Sequence, residues 1–431
     1  MKIAILGYGL EGQAARDYWG KDNDIIICDR NPELPLPDGV AGQLGDDYLN
    51  GLEHFDLVVR SPQIHPRFLN NVSPDKLTSN VNEFIRVCPS RNIIGVTGTK
   101  GKGTTSTLIA EILRAAGKTV HLGGNIGVPA LAMLKAAIEP NDYVVLELSN
   151  FQLIDLKQSL HIAVCLMVVP EHLDWHIDFE EYTSAKQQLF IHQTSEDIAI
   201  YYPDNENSVR IAGASPGHKL PCCQTPGARV MDGVIAIDNT EICHVDELKL
   251  LGEHNWQNVC AAVTAVWQIT QDVGAIHEVL STFAGLPHRI ELVREHNSVR
   301  YYNDSFATGL GATQAAINAV PGLKVVVLGG HDRMLSLDGF SAFAAANTDE
   351  LRTALLIGAS AQRLAKSLDD AGFTNYVIRE DITTMSQIVS VATEMAHSGD
   401  AVVFSPGFAS FDMFKNFEDR GDQFRTAVND L

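Results

Sequence analysis

The sequence predicts an α/β protein built as three consecutive blocks of mostly parallel sheet. Short apolar strands alternate with amphipathic helical stretches from end to end. Several of those strands are unbroken apolar runs, as sheets covered on both faces require. Glycine-rich or polar turns sit where strands give way to helices. At 431 residues, 45% hydrophobic and 20% charged, the chain has an ordinary globular balance and room for about three domains.

The first block holds strands near Lys2–Leu6, Asp24–Cys28 and Asp56–Val59, with Pro32, Pro35 and Pro37 punctuating the loop after the second. In the second, the strand Asn92–Thr97 enters a glycine-rich turn. A helix follows, with Leu108, Ile109, Ile112, Leu113 and Ala116 on one face and Gly117 ending it. Further strands are expected at Tyr143–Leu148, Ile162–Val169 and Ile198–Tyr202. The stretch from about Gly213 to Glu247 reads as short strands and loops, before helix resumes around Asn255–Thr270. The third block, from about Pro287, holds strands at Arg300–Asn303, Lys324–Leu328, Ala354–Ile357 and Ala401–Phe404.

The formal charge of -21, from Asp+Glu 53 against Lys+Arg 32, argues against a nucleic-acid or anionic-membrane surface. Anionic substrates would therefore need local cations. The opening Met1–Gly7 lacks the length and flanks of a secretory signal, and no apolar run approaches a membrane helix. Seven scattered cysteines, an odd number without metal-ligand spacing, suit reduced thiols and a cytoplasmic location.

The strongest motif is Gly98-Thr99-Lys100-Gly101-Lys102-Gly103-Thr104-Thr105, between a buried strand and a helix. There, backbone amides and a helix N-terminus can hold phosphate, the glycines admit the anion, and Lys102 reaches its outer oxygens. The strict pattern GxxxxGK[ST] is not met, since Val96 takes the first glycine's place and Gly103 follows the lysine. A second turn, Gly7-Tyr8-Gly9-Leu10-Glu11-Gly12, matches GxGxxG, with Asp29 ending the next strand where an acid would meet a ribose. Alone this weak pattern suggests a dinucleotide site. Glu147 lies at the end of its strand and His172 follows the strand Ile162–Val169 through Pro170-Glu171, both on the sheet edge that carries the phosphate loop. They suit magnesium ligation, although imidazole is unusual for that ion, or else a helix cap and a loop histidine. Lys186 reads by default as a solvated helix lysine.

Beyond these, seven ordered stretches resemble the Mur ligases. They are the phosphate loop; Glu147–Leu153; Pro170–His176; Gly252–Asn258; Leu286–Arg289; Asn303–Thr308; and Ser405–Asp412. The resemblance covers essentially the whole chain. It implies a Rossmann-like UDP-sugar domain at 1–90, a central P-loop-type ATPase domain at 91–286, and a Rossmann-like amino-acid and ATP domain at 287–431. The implied reaction joins D-glutamate to UDP-N-acetylmuramoyl-L-alanine (UDP-MurNAc-L-Ala) at the expense of ATP, in a monomer that uses two Mg2+ ions.

By the same resemblance, Lys102 and the Thr104 and Thr105 hydroxyls would meet the ATP phosphates and one magnesium. Thr104, Glu147, His172 and a carbamylated Lys186 would be metal ligands. Asn125 and Ser149 would lie at the substrate, and Gly7, Gly9, Leu10, Glu11, Gly12, Asp29 and Arg30 would hold the uridine diphosphate rather than NAD. Asn255, Asn258, Arg289 and Asp304 would serve ATP. Thr308, Arg333, Ser410 and Phe417 would receive the amino acid. Three positions depart from the family: Gly103 replaces the usual hydroxyl, as in folylpolyglutamate synthases; Phe306 stands where some members carry lysine; Arg333 replaces the usual lysine. Arginine can grip a carboxylate through two parallel hydrogen bonds. Folate polyglutamylation and nicotinamide oxidoreduction are the alternative activities.

Overall fold

The computed structural model describes residues 1–334 and 336–431, with the backbone alone described for His254. The chain forms two compact units, Met1–Glu247 with Trp256–Ser281, and Leu248–Asn255 with Thr282–Leu431.

The first unit opens with β1 (Lys2–Leu6), α1 (Leu10–Trp19), β2 (Asp24–Asp29), β3 (Ala41–Leu44), β4 (Leu57–Arg60), β5 (Leu77–Ser79) and α2 (Asn80–Val87). The five strands make a parallel sheet in the order β3-β2-β1-β4-β5. That order reverses between β1 and β4, where parallel sheets open a crevice at the strand C-termini. Gly12 lets α1 lie against the turn, since a Cβ there would collide with the Gly7 carbonyl oxygen.

Next come β6 (Ile93–Thr97), α3 (Lys102–Ala115), β7 (Val120–Gly124), β8 (Tyr143–Glu147), α4 (Asn150–Leu153), β9 (Ile162–Cys165), α5 (Phe179–Ile191), β10 (Ile198–Tyr201), α6 (Glu206–Gly213) and β11 (His218–Pro221). They build a second parallel sheet, β11-β10-β9-β6-β8-β7, with β6 wholly buried at its centre. Leu108, Ile109, Ile112 and Leu113 of α3 are fully buried. Truncating one of them to alanine costs about 2–5 kcal/mol. β9 stops at Cys165, short of the expected Val169. Beyond it the chain turns to the phosphate loop, where the Thr99 amide donates to the Met167 carbonyl at 2.8 Å. A small antiparallel sheet of β12 (Arg229–Met231), β13 (Val234–Ile237) and β14 (Thr240–His244) fills the glycine-rich stretch, followed by α7 (His254–Trp267) and α8 (Val273–Thr282).

The second unit contains β15 (Glu291–His296), β16 (Val299–Asn303), α9 (Leu310–Ala319), β17 (Lys324–Gly329), α10 (Asp338–Ala346), β18 (Leu351–Ile357), α11 (Ala361–Asp370), β19 (Tyr376–Ile378), α12 (Met385–Met395), β20 (Ala401–Phe404) and α13 (Phe417–Asn429). Its sheet runs β15-β16-β20-β17-β18-β19, parallel except for the hairpin β15–β16. Two apolar cores line its faces, one around Leu356 and Leu364 and one around Phe404 and Phe424. Among the described residues no helix is long and apolar enough to cross a membrane, and all seven cysteines are free thiols.

Candidate functional site

The phosphate loop leaves β6 at the centre of the second sheet, with Gly101 capping α3 and Lys102 opening it. The Lys102 side chain curls back over the loop, its Nζ donating to the carbonyls of Gly98 at 3.1 Å and Thr99 at 3.0 Å. Lys100 points outward and pairs with Glu171 at 2.7 Å. The Thr99 hydroxyl lies 2.8 Å from the Tyr182 hydroxyl and accepts from the Val169 amide.

Lys186 is not the solvated lysine its helix context suggests. α5 buries it completely, its Nζ donates to the Gly98 carbonyl at 2.9 Å, and it sits 4.6 Å from the centre of the Tyr182 ring. Tyr182 and Lys186 are four residues apart on α5, so one helix face presents both to the loop. Burial, then the neighbouring Lys102 charge, hold the Lys186 ammonium well below the usual lysine range.

Glu147 ends β8 as a buried carboxylate. Asn125 binds it twice, donating from Nδ2 to Oε1 at 3.1 Å and from its backbone amide to the Glu147 carbonyl at 2.8 Å. Gly124 makes this approach possible. Its φ is +108°, and a Cβ there would collide with the Glu147 carbonyl oxygen. Ser149 and Gln152 close a capping box on α4, so Glu147 does not cap that helix and Ser149 does.

His172, with φ +58°, lies 4.8 Å from the Phe151 ring at a tilt of 56°, and its Nε2 lies 3.8 Å from Glu171. Burial pulls its pKa down, against the pull of Glu171, and so favours the neutral ring. The Thr105 hydroxyl is directed to Asn258 Oδ1 at 3.5 Å, which leaves Thr104 as the first hydroxyl after Lys102. The buried Glu147 carboxylate and the Thr104 hydroxyl are oxygen donors of the kind magnesium takes, whereas His172 and the Lys186 amine offer nitrogen, which suits that ion less.

A crevice of about 520 Å³ opens at the reversal point of the first sheet. Gly7 to Glu11, Asp29 and Ser61 to Ile64 line one part of it, and Asn125, Pro129 and Phe151 another. It therefore runs from the glycine turn to Asn125, the residue bound to Glu147. Asp29 braces the turn, accepting from the amides of Tyr8 and Asn31 at 2.9 Å each. Ser61 donates to the Gly7 carbonyl at 3.2 Å. Burial raises the Glu11 carboxyl pKa although Gln152 donates to it at 2.7 Å. Arg30 is exposed.

His65, His176 and Glu181 bring three potential metal donors within 4.8 Å of one another. The hydrogen bonds assign them otherwise. The Arg67 amide donates to His65 Nδ1, which puts the ring proton on Nε2 and leaves that atom to donate to Glu181 at 3.1 Å. His176 Nδ1 and the Ile177 amide meet the same carboxylate oxygen. A metal at His65 Nε2 would have to displace that proton, so the cluster is a hydrogen-bonded brace at the start of α5.

In the second unit, Asp304 is buried and accepts from the Ser405 hydroxyl at 2.6 Å and the Ile290 amide at 3.2 Å. Burial nevertheless pushes its pKa up to about 7. Arg289 stacks 3.7 Å over the Phe306 ring, which meets Phe417 edge-on at 5.0 Å. Arg333 donates to the Thr308 carbonyl at 2.5 Å, and a bridge between His331 and Ala409 brings the Ser410 segment alongside. Thr308 and Arg333 are thus in direct contact, and Ser410 stands one residue beyond the bridge to His331. Asn255 donates to the Leu251 carbonyl at 2.7 Å.

Sequence reasoning passed over Tyr182, Glu171 and Ser61. Tyr182 carried a signal, four residues before Lys186, and Ser61 follows the strand at which the first sheet reverses. Nothing in the spacing marks Glu171 as the partner of Lys100.

Comparison with known proteins identifies the family of the chain. The Mur ligase middle domain matches residues 96–266 and the Mur ligase glutamate ligase domain matches residues 288–408. A UDP-N-acetylmuramoylalanine–D-glutamate ligase of Acetivibrio thermocellus is 35% identical over 100% of this chain and 96% of its own length. The ligase of the same name from Clostridium kluyveri is 36% identical over 97% of this chain and 89% of its own. Among solved structures, the MurC ligase of Thermotoga maritima superposes with a TM-score of 0.61 at 14% identity, covering 100% of this chain and 99% of that one. E. coli FolC, solved with ADP, gives 0.59 at 19% identity over 81% and 92% of the two chains. These last two speak for the fold. The end-to-end relatives and both family domains make this chain a member of the Mur ligase family.

Proposed function

We propose that the protein is an ATP-dependent ligase that joins D-glutamate to UDP-MurNAc-L-Ala through an acyl phosphate, releasing ADP and phosphate. The observation that carries this reading is the end-to-end similarity, at 35–36% identity, to ligases named for that reaction. The domains are taken as 1–90 for the UDP-sugar, 91–286 for ATP and 287–431 for the amino acid and ATP, in a cytoplasmic monomer.

The chemistry follows from the residues. A carboxylate is a poor electrophile, so its oxygen first attacks the γ-phosphorus of ATP and expels ADP. The amino nitrogen of glutamate then attacks the acyl carbon. The tetrahedral adduct collapses with loss of phosphate, and the nitrogen gives up its proton. Lys102 supplies positive charge over the loop where phosphate charge develops. Thr104, Glu147, His172 and a carbamylated Lys186 would hold magnesium, which would supply further positive charge at the phosphates. Lys186 is suited to carbamylation because burial favours its neutral amine, the form whose lone pair adds to carbon dioxide as a proton leaves. The Gly7–Glu11 crevice takes the uridine diphosphate and leads the muramoyl end toward Asn125 and Glu147. Arg333, beside Thr308, takes a glutamate carboxylate.

Gly103 favours a second reading, glutamate addition to folate, because that glycine is shared with folylpolyglutamate synthases. A phosphate-release assay decides between the two. UDP-MurNAc-L-Ala with D-glutamate should drive turnover, and L-glutamate or a folate should not. Turnover with folate and L-glutamate, but not with the muramoyl nucleotide, would overturn the proposal.

A further inference from the structure

We propose that Arg60 and Asp155 are positioning residues for the nucleotide-sugar substrate, an ion pair between a buried arginine and a half-buried aspartate that fixes the two walls of the Gly7–Glu11 crevice against each other. The substrate's name rests on the functional reading above; the geometry of the pair does not.

Arg60 is the last residue of β4 and is buried despite its charge. Its Nε and Nη2 grip Asp155 at 2.7 and 2.6 Å. Nη1 donates to the carbonyls of Ile64 at 2.9 Å, Ser61 at 3.2 Å and Pro62 at 3.3 Å, and Nη2 also reaches the Phe151 carbonyl at 3.0 Å. Apart from Asp155, every one of these acceptors belongs to a residue that lines the crevice. Ser61, Pro62 and Ile64 lie in the loop that follows β4 of the first sheet, and Phe151 lies on α4, which follows β8 of the second. One planar guanidinium therefore holds main chain from both walls.

Asp155 anchors the far side. Its carbonyl accepts from Asn82 of α2 at 2.9 Å, and Gln152, on the same stretch of chain, holds Glu11 in the crevice. α4 begins three residues after Glu147, so this pair sets the crevice in one frame with the carboxylate at its inner end. A lysine at position 60 would keep the charge. It would lose the rigid fork that spans both walls, because its donors radiate from a single nitrogen.

The test uses the full chain and three variants: Arg60→Lys, Asp155→Asn and the uncharged double variant Arg60→Met with Asp155→Asn. Titration calorimetry would measure binding of UDP-MurNAc-L-Ala, UDP and ATP, with melting temperature recorded for each protein. Each variant should bind UDP-MurNAc-L-Ala and UDP about ten-fold or more weakly while ATP affinity changes less than about two-fold. The double variant should be no worse than Arg60→Lys, since both break one device. Should Arg60→Lys not fold, the double variant, which leaves no lone buried charge, carries the test. Folded variants with unchanged nucleotide-sugar affinity, or with ATP weakened equally, would overturn the proposal and leave the pair a general stabiliser. Wild-type protein that binds neither UDP nor the muramoyl nucleotide would overturn the functional reading as well.

Discussion

Lys186 and Gly98 lie 88 residues apart in the chain, yet the lysine Nζ donates to the glycine carbonyl at 2.9 Å. That bond threads a buried amine into the glycine-rich turn at the start of α3, with the Tyr182 ring at its side.

Lys186→Ala should lower the ligation rate by about 10²-fold or more, the scale of losing one preorganised electrostatic group. Short-chain carboxylates added to the mutant should restore part of it by standing in for the carbamate. Steady-state phosphate release with and without acetate or formate measures this; full activity in the unsupplemented mutant would remove the carbamate from the mechanism.

The hydroxyls after Lys102 should separate by role. Thr104→Val should raise the magnesium concentration needed for half-maximal rate. Thr105→Val should cost about 1 kcal/mol of stability through loss of the Asn258 contact and leave the magnesium requirement unchanged. Magnesium titrations and thermal melts on both variants check the assignment.

Arg333→Ala should raise KM for glutamate by roughly 10- to 100-fold, the range for losing a hydrogen bond to a charged group, while KM for ATP stays within about two-fold. Equal effects on both substrates would contradict the placement of Arg333 beside Thr308 as a carboxylate grip.

Asp304 gives a pH signature. Burial raises its carboxyl from the ordinary 3.8 to about 7, so between those values the folded chain holds a proton that the unfolded chain has released. Its contribution to stability is therefore present at low pH and is lost as pH rises through that window. Asp304→Asn should flatten the fall in melting temperature between pH 5 and pH 7, relative to wild type, in calorimetric scans at matched ionic strength.

The central strands were legible because burial on both faces demands apolar, branched runs; Lys2–Leu6 and Ala401–Phe404 match their structural bounds. β3, β5 and β7 were not, because Ala41-Gly42-Gln43-Leu44 and Leu77-Thr78-Ser79 are short edge strands of ordinary loop composition, and Val120–Gly124 ends in two glycines. Their pairing comes from the neighbouring strand rather than their own residues. The charged hairpin strand Glu291–His296 was missed for the same reason. At the site, the phosphate loop and Glu147 could be read from their strand ends. The inward turn of Lys186 could not, since a helix lysine is solvated unless a third element covers it. Arg60–Asp155 spans 95 residues and has no local pattern.

Gly124 and Glu147 meet backbone to backbone, and a side chain at the glycine would have to displace the Glu147 main chain. For drug discovery that contact is an anchor with few escape routes. An inhibitor that draws its affinity from the main chain there, rather than from changeable side chains such as Tyr8 or Gln63 at the crevice rim, confronts a resistant mutant with the loss of the enzyme's own Asn125–Glu147 pair.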